Sequence, residues 1–283
     1  MPSITTIRSQ LTATAVADVA VSALCAEADL TPKPGLVDRR GAGAHTDMNR
    51  DVLHASAAAL HTAFAQCASA ATEMPLDAAL RARIGRIGRA GERAMLATTG
   101  GVNTHRGALW TLGLLSAAAA ATNGGQVELT DYAATLARLA DPAANGVETS
   151  LSHGARARRR YGVGGAVGQA QAGFPYVTHH ALPALRVARA RGADEPSARL
   201  DALLALMAQL DDTCVLHRGG AAGLRAVQLA ARAVLDAGGS HTAEGRARFA
   251  ELDRLCAVKR LSPGGSGDLL AAALFLDAVE QRI

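Results

Sequence analysis

From about Gln10 onward the chain is one alanine- and leucine-rich segment after another, each cut short by glycine, proline or asparagine. Strands select β-branched and aromatic side chains, and only 3% of this chain is aromatic. Alanine and leucine are strong helix formers, so the chain reads as closely packed helices. The punctuation predicts helices over about 10–29, 49–72, 76–99 and 104–122, then shorter ones near 130–140, 148–160 and 178–191. Further helices are expected at about 197–211, 220–237 and 243–257, with a last one from near Gly265 to the C-terminus. No repeat of fixed period and no long linker divides the 283 residues. The expectation is an all-α protein, residues 1–283 forming a single compact multi-helix domain with functional inter-helix loops. Gly85, Gly88 and Gly91 recur at a three-residue spacing on nearly one face, which predicts a close helix crossing.

The net charge of +4 is carried by arginine, with Lys33 and Lys259 the only lysines. Arginine suits bidentate contact with phosphate. No basic stripe is interleaved with aromatics, so no nucleic-acid partner is expected. Cys25, Cys67, Cys214 and Cys256 are far apart, form no C-x-x-C and lie in apolar helical contexts, as buried free thiols do. The opening MPSITTIRSQ lacks the apolar run of a signal peptide, and no apolar stretch reaches spanning length. The expected location is cytoplasmic, with no membrane partner.

Polarity collects between the helices, where chemistry is usually placed. In the first loop Glu27, Asp29, Asp38, Asp47 and His45 fall within a short stretch that also holds Pro32, Lys33, Pro34, Arg39 and Arg40. Such a density of carboxylates suits Mg²⁺, a hard cation that takes oxygen ligands, and the basic residues suit phosphate beside it. A solvated loop with helix-capping aspartates is the alternative. Asn103, Thr104, His105 and Arg106 follow Gly100-Gly101 and run into an apolar helix, offering free N–H groups and a guanidinium to an anion, or a plain N-cap at Asn103 or Thr104. Arg156, Arg158, Arg159 and Arg160 cannot all face one way, so one or two of them are left for phosphate. The glycine-rich run Gly162–Gly168 follows no strand, which excludes a dinucleotide-binding β-α-β unit. Asp211-Asp212 resembles a prenyl-synthase D-D-x-x-D only until Val215, and the expected helix end there would disfavour acids unless a metal or arginine joins them. Ser262-Pro-Gly264-Gly265-Ser266-Gly-Asp268 offers backbone donors to phosphate without the lysine of a Walker A loop; Asp268 beside phosphate calls for a cation between them, and Ser266 could equally be an N-cap.

Together these segments resemble the triphosphoribosyl-dephospho-CoA synthase family. The resemblance rests on LTPKPGLVD (30–38), GAHTDMN (43–49), GVNTHRGA (101–108), the element from Asp212 to Gly220, and LSPGGSGDLLAA (261–272). Cys214–His217, reading CVLH, looks more like the malonate decarboxylase branch than the citrate lyase branch. The stretch 162–175 is also similar, with Gln169 where the family pattern leads one to expect glutamate. The resemblance implies attack by the ribose 2′-hydroxyl of 3′-dephospho-CoA on C1 of the ribose of ATP, expelling adenine and keeping the triphosphate. It implies ATP and dephospho-CoA as partners, Mg²⁺ as cofactor, and a product passed to a separate transferase acting on an acyl carrier subunit; a homo-oligomer stays open. Under it, Asp38, Asp47, His45 and His105 are the catalytic candidates and Glu27, Asp38, Asp47, Asp212 and Asp268 the metal candidates. Lys33, Arg39, Asn103, Arg106, Arg218, Gly264, Gly265 and Ser266 are the substrate-binding candidates. The rival readings are a Mg²⁺-dependent N-glycosyl or ADP-ribosyl hydrolase, and the same synthase reaction serving citrate lyase.

Overall fold

A computed structural model of the chain describes residues 11–122, 125–143 and 153–282, and its regular structure is helical, with no strand among the described residues beyond one isolated bridge between Asp38 and Gly41. The helices are α1 (Ala13–Asp29), α2 (Arg50–Ala59), α3 (His61–Glu73), α4 (Ala78–Thr98), α5 (Arg106–Ala121), α6 (Gln126–Arg138) and α7 (His153–Tyr161). They continue as α8 (Gly165–Gln171), a π-helical turn (Val177–Ala181), α9 (Leu182–Ala190), α10 (Glu195–Met207), α11 (Thr213–Asp236), α12 (Ala243–Lys259) and α13 (Gly264–Glu280). Their starts follow local chemistry: Asn49 accepts from Val52 N–H at 2.9 Å, and Asp77 accepts from Ala79 and Leu80 N–H.

Three expectations need correction. The helix read over 49–72 is two helices meeting at Leu60, whose N–H turns to Ala57 O at 3.2 Å. The glycine-rich run after Gly162 is not all loop, because α8 starts at Gly165. The predicted start at 220 is instead a kink inside α11, where Gly220 has φ 62°. The first part of the helix expected over 148–160 lies outside the described residues.

Helix α5 is the hub. Twelve of its sixteen residues are buried, so it is apolar all round, as a helix surrounded by others must be. It packs on α3, α6 and α13, while α1 packs on α3 and α13. Small side chains let the axes approach: a methyl at Gly91 would lie 2.8 Å from Ala63 Cβ of α3. The glycine stripe of α4 is otherwise not a crossing face, since Gly88 meets open space and Gly85 abuts the Asp141 carboxylate.

This packing brings the N-terminal ends of α5, α8, α11 and α13 to one place, opposite the C-terminal end of α1 and the loop that follows it. The loop is fixed against the α12–α13 turn at Gly35, which has φ 69° and lies where any Cβ would be 2.0 Å from Leu261 O.

Candidate functional site

The converging helix ends enclose a cavity of about 430 Å³, within the usual range for small-molecule sites. Glu27, Lys33, His45, Asn103, His105, Arg106, Asp212, Gly264, Gly265 and Asp268 all line it, so all five segments that carry the resemblance meet there. Leu24, Leu36, Val37, Met48, Leu53, Trp110 and Leu269 give it apolar walls.

Its chemical centre is three carboxylates, Glu27 and Asp212 buried and Asp268 half-buried, and the buried ammonium of Lys33. Lys33 is 1% exposed, and its Nζ donates to Glu27 Oε1 at 2.7 Å and to Glu27 O at 2.6 Å. An ammonium at the C-terminal end of α1 also answers the negative pole of that helix. Asp212 accepts from Ser266 N–H at 2.8 Å, Ser266 Oγ at 3.0 Å and Cys214 N–H at 2.9 Å. It is the N-cap of α11, not a residue at a helix C-terminus as its sequence neighbourhood implied, because α10 ends at Met207. Burial raises its pKa against the lowering effect of those donors. Asp268 is more exposed to conflict. Burial, then the charges of Glu27 and Asp212, push its carboxyl well above the ordinary value, and only the Ala108 N–H opposes them.

The glycines of these motifs have a different role from the one their sequence implied. A Cβ at Gly107 would stand 2.1 Å from Asp268 Oδ2, one at Gly265 would be 3.2 Å from the Asp212 carboxylate, and one at Gly267 would be 3.1 Å from Glu27 Oε1. The N–H groups of Ser266 and Ala108, expected to face phosphate, are taken by Asp212 and Asp268. Helix starts here stabilise the protein's own buried carboxylates. Gly107→Ala is therefore expected to displace Asp268, to lower stability by about 1–3 kcal/mol, and to depress turnover; urea unfolding and an activity assay on one preparation check it.

The remaining candidates divide by position. His105 is 4% exposed, with Nδ1 2.8 Å from Ser56 Oγ, which lies 2.6 Å from Thr104 Oγ1. Burial pulls its pKa down to about 4, so it is a neutral imidazole, not the imidazolium of a general acid. His45 Nε2 lies 2.8 Å from Ser262 Oγ, and burial and the Arg218 charge lower its pKa against the pull of Asp47. Arg218 is not in the wall; its Nη1 donates to Ala44 O at 3.0 Å and holds the His45 loop. Asn103 Oδ1 accepts from Arg106 N–H at 3.3 Å, and His105, with no side-chain cap, takes the N-cap position expected of Asn103 or Thr104. The Arg106 guanidinium pairs with Glu92. Ser266 is fully buried with both donors on Asp212, neither N-cap nor wall residue.

Asp38 and Asp47 do not line the cavity. Asp38 accepts from Lys33 N–H at 2.8 Å, Arg40 N–H at 2.7 Å and Arg40 Nε at 2.9 Å; burial would raise its pKa, yet these donors hold it below the ordinary value. It is the anchor of the loop turn. Asp47 is 58% exposed along its side chain and 3.7 Å from His45 Nδ1. Arg39 is exposed, with its N–H donating to Thr31 Oγ1. Of the five carboxylates expected to share a metal, Glu27, Asp212 and Asp268 thus meet at the cavity and Asp38 and Asp47 do not, and no group of three or more His, Cys, Asp or Glu positioned for a metal occurs among the described residues. Of the arginine run, Arg158 reaches the cavity wall, while Arg156 and Arg160 line a separate pocket with Tyr161 and His217. Cys214 also lines the cavity, half-buried rather than buried, and burial with the nearby Asp212 and Asp268 raises its thiol pKa, which removes it as a nucleophile.

Sequence reasoning missed Ser56, Trp110 and Thr111, which sit inside apolar helices and read there as core. A serine on the buried face of α2 was the available signal.

No helix among the described residues is long and apolar enough to cross a membrane. The family model described as CitG: ATP:dephospho-CoA triphosphoribosyl transferase matches residues 13–283. A relative from Pseudomonas fluorescens strain Pf-5, named "Probable 2-(5''-triphosphoribosyl)-3'-dephosphocoenzyme-A synthase", is 57% identical over 94% of this chain and 91% of its own length. Relatives of the same name from Stutzerimonas stutzeri A1501 and Pseudomonas aeruginosa UCBPP-PA14 are 56% and 55% identical, each over 93% of this chain and 90% and 89% of their own lengths. No solved structure matches the chain.

Proposed function

Because the chain belongs to the CitG family of ATP:dephospho-CoA triphosphoribosyl transferases, we propose that its carboxylate-lined cavity joins ATP to 3′-dephospho-CoA. The observation that carries this reading is the convergence of the family-like motif segments on one cavity whose buried acids have no interest in fold stability alone. Buried carboxylates that repel one another weaken a fold, and such perturbed groups cluster at functional sites.

In the reaction the bond from the ribose C1 of ATP to adenine breaks, and a bond from C1 to the 2′-oxygen of dephospho-CoA forms. The hydroxyl proton leaves that oxygen, and one proton joins the departing adenine. Asp268 is the proton acceptor we assign, since it lines the cavity beside Glu27 and Asp212 and its raised proton affinity makes it a stronger base than an ordinary carboxylate. Asp212, saturated by donors, fixes the start of α13 and hence the place of Asp268. Arg106 and Arg158 on the wall provide positive charge for the triphosphate, which is bound but not cleaved.

The donor set fits Mg²⁺: acids outnumber the one buried lysine where a triphosphate must come, so a cation has to stand between them. Glu27 would hold it, with phosphate oxygens and water completing the shell, as one or two carboxylates suffice for this ion. The bound ion would screen the triphosphate charge. Asp38 is left as the anchor of its loop and Asp47 as an exposed residue beside His45, both outside the cavity.

The finer placement follows from the CVLH resemblance at Cys214–His217: the product serves the acyl carrier subunit of a malonate decarboxylase, reached through a separate transferase in the cytoplasm. Incubating the protein with Mg²⁺, ATP and dephospho-CoA should release adenine and an equal amount of a dephospho-CoA adduct heavier by a triphosphoribosyl unit. Adenine without the adduct would identify a hydrolase. With the matching transferases present, the adduct should load a malonate decarboxylase carrier; productive loading only of a citrate lyase carrier would reverse the branch assignment.

A further inference from the structure

Unpaired polar atoms are not scattered evenly through the molecule. Of the buried side-chain nitrogens and oxygens without a hydrogen-bond partner among the described residues, five belong to cavity-lining residues: His105 Nε2, Arg106 Nε, Trp110 Nε1, Thr111 Oγ1 and Gln169 Oε1. A buried polar atom left unpaired is costly, and a fold keeps one where a ligand completes it. Arg106 is paired elsewhere through its guanidinium, and His105 through Nδ1. The other three form their own group. Trp110 and Thr111 are neighbours on α5, and Gln169 is on α8, which packs against α5.

Their chemistry is specific. An indole N–H can only donate, an amide oxygen can only accept, and a hydroxyl can do both. They surround an aromatic face in a largely apolar enclosure. The indole is itself held in place from behind: the Arg81 guanidinium, 6% exposed, lies 5.1 Å from the Trp110 ring centroid, with Asp141 3.5 Å from Arg81 Nη1 and shared with Arg89. A buried cation spent on orienting one ring makes Arg81 a positioning residue. A flat ligand offering acceptor nitrogens and an amine that donates matches this wall.

We infer that Trp110, Thr111 and Gln169 form the subsite for an adenine ring, with Trp110 Nε1–H donating to a ring nitrogen and Gln169 Oε1 accepting from the exocyclic amine. The inference rests on the synthase reading, under which both substrates and one product carry adenine. It places the amide of Gln169, not a carboxylate, in base recognition.

Trp110 is the only tryptophan of the chain, so its emission reports directly on this wall. Free adenine is expected to change that emission saturably, and purine, which lacks the amine, to bind about tenfold more weakly, the weight of one buried hydrogen bond. Gln169→Leu should bind adenine and purine alike. Trp110→Phe should raise KM for the nucleotide whose base occupies the wall by about tenfold. ATP and dephospho-CoA added separately, each without the other, distinguish the two sources of the ring: the one that shifts the emission and displaces adenine is the occupant. If the wild-type protein forms the adduct but its emission ignores adenine, ATP and dephospho-CoA alike, the subsite is overturned and the synthase reading survives. Equal binding of adenine and purine by the wild type overturns the role of Gln169. Failure to form adenine at all strikes the reaction itself, and a retained adenine-over-purine preference would then keep the subsite.

Discussion

Asp268→Asn is expected to lower the rate of adenine release by roughly 10²–10⁴-fold, the usual span for loss of a proton-transfer group, while making the ligand-free protein more stable at neutral pH. The two effects share one cause. Asp268 is half-buried near Glu27 and Asp212, and its pKa in the fold is raised above the ordinary carboxylate value of 3.8. The folded state therefore binds the proton more tightly than the unfolded chain. Its contribution to stability is fully present below the ordinary value and is lost as pH rises through the raised one. The wild-type protein should lose stability over that window without ligand, and the asparagine variant, which has no charge to bury, should lose less. In the wild type, kcat/KM should rise with pH through the titration of Asp268, and this limb should vanish in the variant. Melting curves and initial rates over a pH series test both halves. A variant that is both less stable and inactive at every pH would mean that Asp268 serves the fold, and a fully active one would remove it from the chemistry.

Lys33→Met should be the most damaging single change to the fold among the cavity residues. The ammonium is 1% exposed and reaches both the carboxylate and the backbone carbonyl of Glu27. Removing it leaves Glu27, 8% exposed, as a buried charge without its partner. Breaking a buried pair from one side costs about 3–5 kcal/mol, whereas replacing both partners is far cheaper. A fall in Tm of roughly 10 °C is expected for Lys33→Met, with most of it recovered in the double variant Glu27→Gln/Lys33→Met. The recovered protein should still fail to turn over, since Glu27 is the carboxylate assigned to the cation. Had Lys33 been a phosphate ligand, as its place in the PKPG loop implied, the single variant would keep its Tm and lose only affinity for nucleotide. Thermal unfolding of the three proteins separates these cases.

What the sequence made legible depended on whether a signal was local. The ends of α4 and α5 could be read because Gly100 and Gly101 interrupt two long apolar segments, and both glycines take positive φ. The break at Leu60 could not, because alanines on both sides continue the helical pattern and the turn is made by tertiary packing. Helix α8 was hidden by four glycines that locally favour loop, and its packing on α5 and α6 overrides that preference. At the site, the segments that converge were recognisable because acids, histidine and glycine coincide between helices. Which acid faces the cavity was not, since Asp38 and Asp268 differ only in what the fold packs around them. Asp38 meets three donors from its own loop, while Asp268 meets two other carboxylates brought from α1 and the start of α11. The same limit explains the glycines. Gly265 reads as part of a phosphate cradle, and only the neighbours across the cavity reveal that Gly265 and Gly107 make room for Asp212 and Asp268. Trp110 and Thr111 lie within an apolar helix, where nothing local distinguishes a cavity wall from core.

The most direct test is a crystal structure of Asp268→Asn with Mg²⁺, ATP and dephospho-CoA, since the slowed variant should trap both substrates before transfer. The expected result is a ribose C1 of ATP and a 2′-hydroxyl of dephospho-CoA facing each other beside position 268, with the metal on Glu27 and the triphosphate toward Arg106 and Arg158. Nucleotide bound outside this cavity, in the pocket between Arg156, Arg160 and His217 for instance, with the carboxylates left facing no substrate, would contradict the account.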